Sequence, residues 1–325
     1  MCRNWRALAY LNLDLIPGNL TLTVYTMPTL YQLCIDAAKR VDNPNEKELA
    51  AGRKTVFDSW VRYRPDPAAS RRRGQLTPEI LSPNGGSDHI NFMQYAGIPV
   101  VDFEYRNATR YQYPLYHTMY ETPYLNEKLY FRDGKTYTAT GQYWMELTRR
   151  LVIAGPLPLN VTDYALTILD DLEKFAEKLN HTAGIAGVAI EQFNYLMDAG
   201  RRFHTHATKF ANLIRRMNRE YWTNRSHQPR SYQPINDRLL GLERCFINPG
   251  GVGLESKYAR HVVFSISGEN QYAGTNLPGM YGALTKLSKA EQPSERVELS
   301  KLLARQMSLV QYALECAMNN LREFL

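Results

Sequence analysis

The sequence predicts an α/β layer followed by an all-helical half, the two meeting near residue 158. Three observations predict it. Strand-like and helix-like runs alternate through the first half, and Pro156-Leu-Pro158 interrupts them. Beyond that break, apolar residues recur at helical spacing. The units are placed at residues 1–158 and 159–325.

Taken in order, Leu8-Ala-Tyr-Leu-Asn-Leu-Asp14 is a short apolar run ending in a carboxylate, and a Pro17-Gly18 turn follows. Leu20-Thr-Leu-Thr-Val24 alternates with period two and suits a strand. A helix follows Thr29, with Leu30, Leu33 and Ala37 on one face. Residues 61–86, rich in Arg, Pro, Ser and Gly, read as a long loop. Ser87 or Asp88 can cap a helix that runs through Phe92 and Met93 to Ala96, with Gly97 at its left-handed end. Ile98-Pro-Val-Val-Asp-Phe103 is a buried-strand candidate, and strand–helix–strand order points to a largely parallel sheet. A helix spans 139–153. In the second half, Thr162 or Asp163 caps a helix with Leu166, Leu169 and Leu172 inward. The last helix opens at Pro293-Ser294 and carries a seam of Leu303, Met307, Val310, Leu314, Ala317 and Leu321, suited to packing on other helices.

Composition narrows the function classes. With 325 residues, 44% hydrophobic and 22% charged, the chain is an ordinary globular protein able to bury a core. No apolar stretch approaches the roughly 18–20 residues of a membrane span. The first residues do not read as a signal peptide, because Asn12 and Asp14 interrupt the apolar run that follows Arg3 and Arg6. The expectation is an intracellular protein, or a chain beginning partway through a longer product. The formal charge of +7 is densest at Arg62, Arg64, Arg71, Arg72 and Arg73; without interleaved aromatics this reads as a solvated loop and not a nucleic-acid surface. Cys2, Cys34, Cys245 and Cys316 are scattered and indicate neither a zinc knuckle nor a dense disulfide framework. Sequons at Asn19, Asn107, Asn160, Asn180 and Asn224 exceed chance and lean toward a secretory-pathway glycoprotein.

Two positions in the first half draw attention as chemistry. Asp14 sits at the carboxyl end of a predicted strand, where open α/β sheets place their ligands. His117 lies in the polar, aromatic stretch Tyr113-Pro-Leu-Tyr-His-Thr-Met-Tyr-Glu-Thr122. Carboxylate and imidazole are proper zinc donors. By pattern alone, an aspartate at a strand end is more often a cap or turn residue, and a histidine in a Tyr-rich loop more often a surface residue. His204-Thr-His206 is rejected as a metal pair because residues two apart on a helix face different ways.

At that Tyr113–Thr122 stretch the sequence resembles the glutamate carboxypeptidase II family, the co-catalytic di-zinc peptidases related to the transferrin receptor. The segment from Ala9 to Asn19 is similar to the family's zinc-binding strand end, and Gly86-Ser-Asp88 to its substrate loop. Glu269-Asn-Gln-Tyr-Ala-Gly274 and Leu277-Pro-Gly-Met-Tyr281 resemble a signature of its helical dimerisation domain. The resemblance implies the C-terminal part of a zinc-peptidase sheet domain followed by a transferrin-receptor-like dimerisation domain. It implies Asp14 on one zinc and His117 on the other, with the Tyr116 hydroxyl offered to the oxyanion of the tetrahedral intermediate. Gly86 and Ser87 would contact the substrate backbone, and Tyr272 would line the pocket for the substrate's C-terminal side. A homodimer formed mainly after residue 160, a peptide substrate and a cell-surface, type II membrane setting for the full-length relative are implied too.

The departures are part of the same reading. The family's other zinc ligands precede the segment matching Asp14, yet the thirteen residues before it contain no His, Asp or Glu. The expectation is a fragment or truncated product, inactive alone, with one ligand left per zinc. Glutamate-binding members place arginines where this chain has Asp102 and Glu104, and a lysine at Gln271. Either these two acids face solvent, or the full-length relative takes neutral or basic peptides, binding an α-amine as an aminopeptidase would. The alternative to a peptidase lineage is a non-catalytic, receptor-like dimerising protein.

Overall fold

The computed structural model describes residues 7–107, 115–130, 134–181, 187–224, 232–252, 259–267 and 272–322. The first half is built on a three-stranded sheet: β1 (Tyr10–Leu13), β2 (Thr21–Thr26) and β3 (Val100–Arg106), in the order β1-β3-β2. β3 is the centre and is buried along its whole length. β1 runs parallel to it, with Tyr10 opposite Val100 and Asn12 opposite Asp102. β2 runs antiparallel, with Val24 opposite Phe103 and Thr21 opposite Arg106.

The sheet is therefore mixed, where strand–helix–strand order predicted a largely parallel one. The link from β1 to β2 is too short for the dozen or more residues a parallel crossover needs. The long excursion from β2 to β3 is helical. A 3₁₀ turn at Pro28–Leu30 leads into α1 (Tyr31–Ala38); α2 (Glu46–Ala50), α3 (Val56–Tyr63) and α4 (Pro67–Arg73) follow. Thr55 and Asp58 form a reciprocal capping box at the start of α3, and Trp60 is fully buried.

The loop expected over 61–86 is corrected by the end of α3 and by α4. Asp66 accepts the Ala69 amide at 2.8 Å, Pro67 takes the first turn, and Gly74 closes the helix at φ 64°. Of the arginines read as solvated, Arg62 and Arg71 are exposed, whereas Arg64 is buried and faces Glu79 at 3.5 Å, Arg73 pairs with Asp163 at 2.7 Å, and Arg72 pairs with Asp170.

α5 (His89–Asn91) continues into a π-helical turn, Phe92–Ala96, which ends at left-handed Gly97 as predicted. A Cβ on Gly97 would lie 2.9 Å from the Arg244 backbone, so glycine there also permits the close approach of a distant segment. A second π-helical turn covers Leu125–Tyr130, and α6 (Lys135–Ile153) follows it. The stripe Ala139, Tyr143, Leu147 and Leu151 of α6 is buried, and Tyr143 meets Phe103 edge-on at 5.0 Å.

In the second half, α7 (Val161–His181), α8 (Gly187–Asn224) and α9 (Gln233–Leu242) lead to a 3₁₀ turn at Glu243–Phe246. The hairpin β4 (Phe264–Ile266) and β5 (Gly274–Asn276) precedes α10 (Pro278–Lys289) and α11 (Pro293–Leu321). The α7 cap is Asn160, whose Oδ1 accepts the Thr162 and Asp163 amides, not Thr162 or Asp163 as expected. Its inward face is Val161, Tyr164, Ile168, Leu172 and Phe175; Leu166 and Leu169 are only half-buried.

The α11 seam is buried at every predicted position. It packs within the chain, chiefly against α8, with Gln192–Gln311 and Arg202–Glu315 bonds beside it. The seam is thus consumed inside the protomer and cannot itself form a dimer contact. A disulfide joins Cys245 to Cys316, and Cys34 is free and buried. Cys2 lies outside the described residues. Among the described residues, no helix is long and apolar enough to cross a membrane.

Candidate active site

Strand alternation puts Asn12 and Asp14 on one face of β1, and Asp102, Glu104 and Arg106 on one face of β3. Parallel register brings the two sets together at the sheet's rim. Asn12 donates to Asp102 Oδ1 at 2.8 Å and to Ser87 Oγ at 2.9 Å; Ser87 in turn donates to Asp14 Oδ1 at 3.1 Å. Carboxylate oxygens of Asp14, Asp102 and Glu104 lie within 4.8 Å of one another. Asp14 is exposed, whereas Asp102 and Glu104 are 0% and 2% exposed. Arg106 pairs with Glu104.

Three carboxylates thus face one guanidinium, and Asp102 bears the consequence. Burial pushes its carboxyl up to about 7; the Asp14 charge adds to the rise, and the Asn12 and Asn84 amides and Arg106 oppose it. Its Oδ2 is buried without a hydrogen bond of ordinary geometry. A buried carboxylate oxygen left open is an acceptor waiting for a donor. The solvent-facing alternative for Asp102 and Glu104 is therefore corrected: β3 is the central strand, so their face is the floor of the site.

Gly86 and Ser87, the residues expected to form a substrate loop, stand on the same rim. Gly86 has φ 83°, and a Cβ there would lie 2.7 Å from the Tyr272 ring. Glycine is required twice, by its backbone and by the aromatic ring against it. Tyr272, 55% exposed, hydrogen-bonds with Tyr116, whose phenol is raised by burial first, then by Tyr272 and Asp14, with Arg106 opposing. Behind the loop, His89 is fully buried and its Nε2 meets the Asn84 carbonyl at 3.1 Å; burial pushes its imidazole pKa down.

The structure thus gathers Asp14, Gly86, Ser87, Asp102, Glu104, Tyr116 and Tyr272 around one rim. His117 is exposed and takes left-handed backbone, φ 58°, with its N–H donating to Glu121 at 3.1 Å. Its ring stacks on Tyr116 at 3.8 Å and is not part of the carboxylate cluster. Residues 113–114 and 269–271 of the two sequence signatures lie outside the described residues. Asn12, Asn84, His89 and Arg106 were missed by sequence reasoning. Period-two alternation from Asp14 and Glu104 would have found Asn12 and Arg106; nothing local marks Asn84 or His89.

The donor set can be tested against zinc. A catalytic zinc takes three protein ligands, with nitrogen or sulfur prominent among them. The cluster around Asp14 is oxygen-only, and Glu104 already holds Arg106. Asp14 and His117 offer one donor per ion. The described residues alone do not make up a zinc site.

The chain is similar to known proteins along nearly all of its length. Residues 191–322 match the transferrin receptor-like dimerisation domain. The chain is 36% identical to the glutamate carboxypeptidase 2 homolog of Caenorhabditis elegans over 98% of its own length and 41% of that protein's. It is 28% identical to aminopeptidase NAALADL1 of Mus musculus, over 96% of this chain and 40% of that one. It is 27% identical to the probable glutamate carboxypeptidase LAMP1 of Arabidopsis thaliana, over 87% and 36%. The chain spans about two fifths of the length of the curated relatives it matches most fully. Along nearly all of its length, the chain is similar to glutamate carboxypeptidase II-like proteins, and over residues 191–322 it carries a transferrin receptor-like dimerisation domain.

Proposed function

We propose that the chain supplies the substrate-gripping rim of a peptidase that takes peptides bearing a neutral or cationic group in the Asp102–Glu104 pocket. The observation that carries this is the buried carboxylate pair with the open Asp102 Oδ2. The guanidinium of Arg106 is taken up by Glu104, so an ammonium would satisfy Asp102 and be attracted by Asp14 beside it. Gly86 and Ser87 contact the substrate backbone, and Tyr272 walls the pocket for its C-terminal side. The Tyr116 hydroxyl donates to the oxyanion as the carbonyl becomes tetrahedral. The name of the aminopeptidase relative supports capture of an α-amine.

In this reading residues 1–158 are part of a zinc-peptidase sheet domain and 159–325 the dimerisation domain. Zinc, when bound, would polarise the carbonyl and acidify water; Asp14 and His117 are the candidate ligands here, one for each of two ions. Zinc binding by this polypeptide alone is accordingly weak and turnover absent. Calorimetric zinc titration with hydrolysis assays on dipeptide libraries tests both statements. Tight binding with turnover overturns the claim of inactivity, and preferential binding of acidic dipeptides overturns the pocket assignment.

Homodimerisation uses a face other than the α11 seam, with Tyr195 and Tyr312 as exposed aromatics of that half. Light scattering of the whole chain tests it, and a monomer would count against it. A secretory, cell-surface setting is supported by the Cys245–Cys316 disulfide and by sequons at exposed Asn19, Asn107 and Asn180. The Asn160 side chain is occupied in capping α7, which makes it the poorest acceptor of these four; the Asn224 side chain lies outside the described residues.

A further inference from the structure

The Tyr272 ring reaches the site from the far half of the sequence, so something must fix it there. We infer that Gln94, a buried amide in the π-helical turn, is the positioning residue that sets Tyr272 against the substrate loop. The inference rests on the site reading above for its functional meaning, though not for its geometry.

Gln94 is 1% exposed. Its Oε1 accepts the Arg260 and His261 amides at 2.8 and 2.9 Å, and its Nε2 donates to the Phe264 carbonyl at 3.0 Å. One side chain therefore holds both ends of the 260–264 turn. Phe264 begins β4, which pairs with β5, and Ser267 N–H donates to Ala273 at 2.8 Å beside Tyr272. On its other side Gln94 belongs to the element that follows Gly86 and Ser87 directly in sequence. The contacts close a circuit: substrate loop, α5 and its π-helical turn, Gln94, the 260–264 turn, the hairpin, Tyr272, and back to Gly86.

The turn is braced from behind. His261 Nδ1 accepts the Val263 and Phe264 amides at 3.2 and 3.0 Å, which leaves the proton on Nε2, 2.8 Å from Glu243. Tyr164 donates to the same Glu243 oxygen at 2.9 Å. The hairpin is seated on the loop at its other end: a Cβ on Gly274 would lie 2.2 Å from the Pro83 carbonyl oxygen. With the turn fixed at both ends, Gln94 determines where the hairpin leaves the core.

The test places 3-fluorotyrosine at position 272 of the whole chain and records its ¹⁹F resonance in three variants, with far-UV circular dichroism as the folding control. Gln94→Leu fills the space but makes none of the bonds; Gln94→Asn keeps the chemistry but is one methylene short. In both, the resonance is expected to move most of the way to the denatured-chain position while helicity is retained. Gln94→Glu keeps the acceptor for the two amides and, at a pH where the buried carboxyl holds its proton, can donate its O–H to the Phe264 carbonyl, so there the resonance is expected to return toward wild type. The same variants bind a neutral dipeptide about tenfold more weakly where the resonance moves. A native resonance in a folded Gln94→Leu chain, or in Gln94→Asn should the leucine variant not fold, overturns the inference. If wild type binds no dipeptide, the site reading fails while the fluorine result still decides the role of Gln94.

Discussion

The buried carboxylate at the sheet rim is surrounded differently from those of the helical half. In the helical half they come with donors. Asp163 takes Arg73 and Asn160 on one oxygen, Asp171 takes Asn276 at 2.6 Å, and Glu243 takes both Tyr164 and His261 on Oε1, its Oε2 being buried without a hydrogen bond. At the sheet rim Asp102 has the Asn12 amide on one oxygen and an open second oxygen, with two more carboxylates beside it. An unpaired buried acceptor costs about 1–3 kcal/mol wherever it stands; what sets the rim apart is that its open oxygen shares its surroundings with two further carboxylates. Where a fold tolerates uncompensated charge, the compensation is expected from a ligand.

The largest expected effect sharpens the stable side of the contrast. Leu314→Ala in the α11 seam, fully buried, should cost about 2–5 kcal/mol, whereas Arg305→Ala on the same helix, exposed, should stay within about 0.5 kcal/mol. Denaturant midpoints check it. Equal losses would mean that the seam is not where the helical half keeps its stability.

Gly86→Ala acts on the rim. The residue must hold φ 83° with a methyl against the Tyr272 ring, a strain of about 1–3 kcal/mol, and dipeptide binding should fall by more than thermal stability does. Binding left intact would remove the loop from the site.

The smallest effect is a pH dependence of stability. The folded Asp102 carboxyl titrates at about 7 against an ordinary 3.8, so between these values the folded state holds a proton that the unfolded chain has released. Its contribution is full below about 4 and declines as pH rises toward 7. Asp102→Asn should flatten that decline when denaturation is measured at pH 5 and pH 8; a slope as steep as wild type's would place the uncompensated charge elsewhere.

Much of this was legible in residue order. The strand before Asp14, left-handed Gly97, the α11 seam and the gathering of Gly86, Ser87, Tyr116 and Tyr272 follow from alternation, turn chemistry and family motifs; the central strand, expected to end at Phe103, runs on to Arg106. What was not legible depends on distance in sequence. The antiparallel pairing of β2 required knowing that β3 inserts beside it. The helix at Pro67–Arg73 was obscured by its arginines, whose partners Asp163 and Asp170 lie in α7. Gln94 looks like any polar residue of a short helix; only the fold brings Arg260, His261 and Phe264 to it.

The central claim is that the Asp102–Glu104 pocket receives a positive group. Calorimetric titration of a lysyl peptide from pH 5.5 to 8.5, across which its ε-ammonium stays charged, tests it most directly. Affinity should strengthen as Asp102 ionises near 7, should lose that dependence in Asp102→Asn, and should exceed that of the glutamyl counterpart throughout. A glutamyl peptide binding more tightly, or a lysyl affinity indifferent to both pH and the substitution, would contradict it.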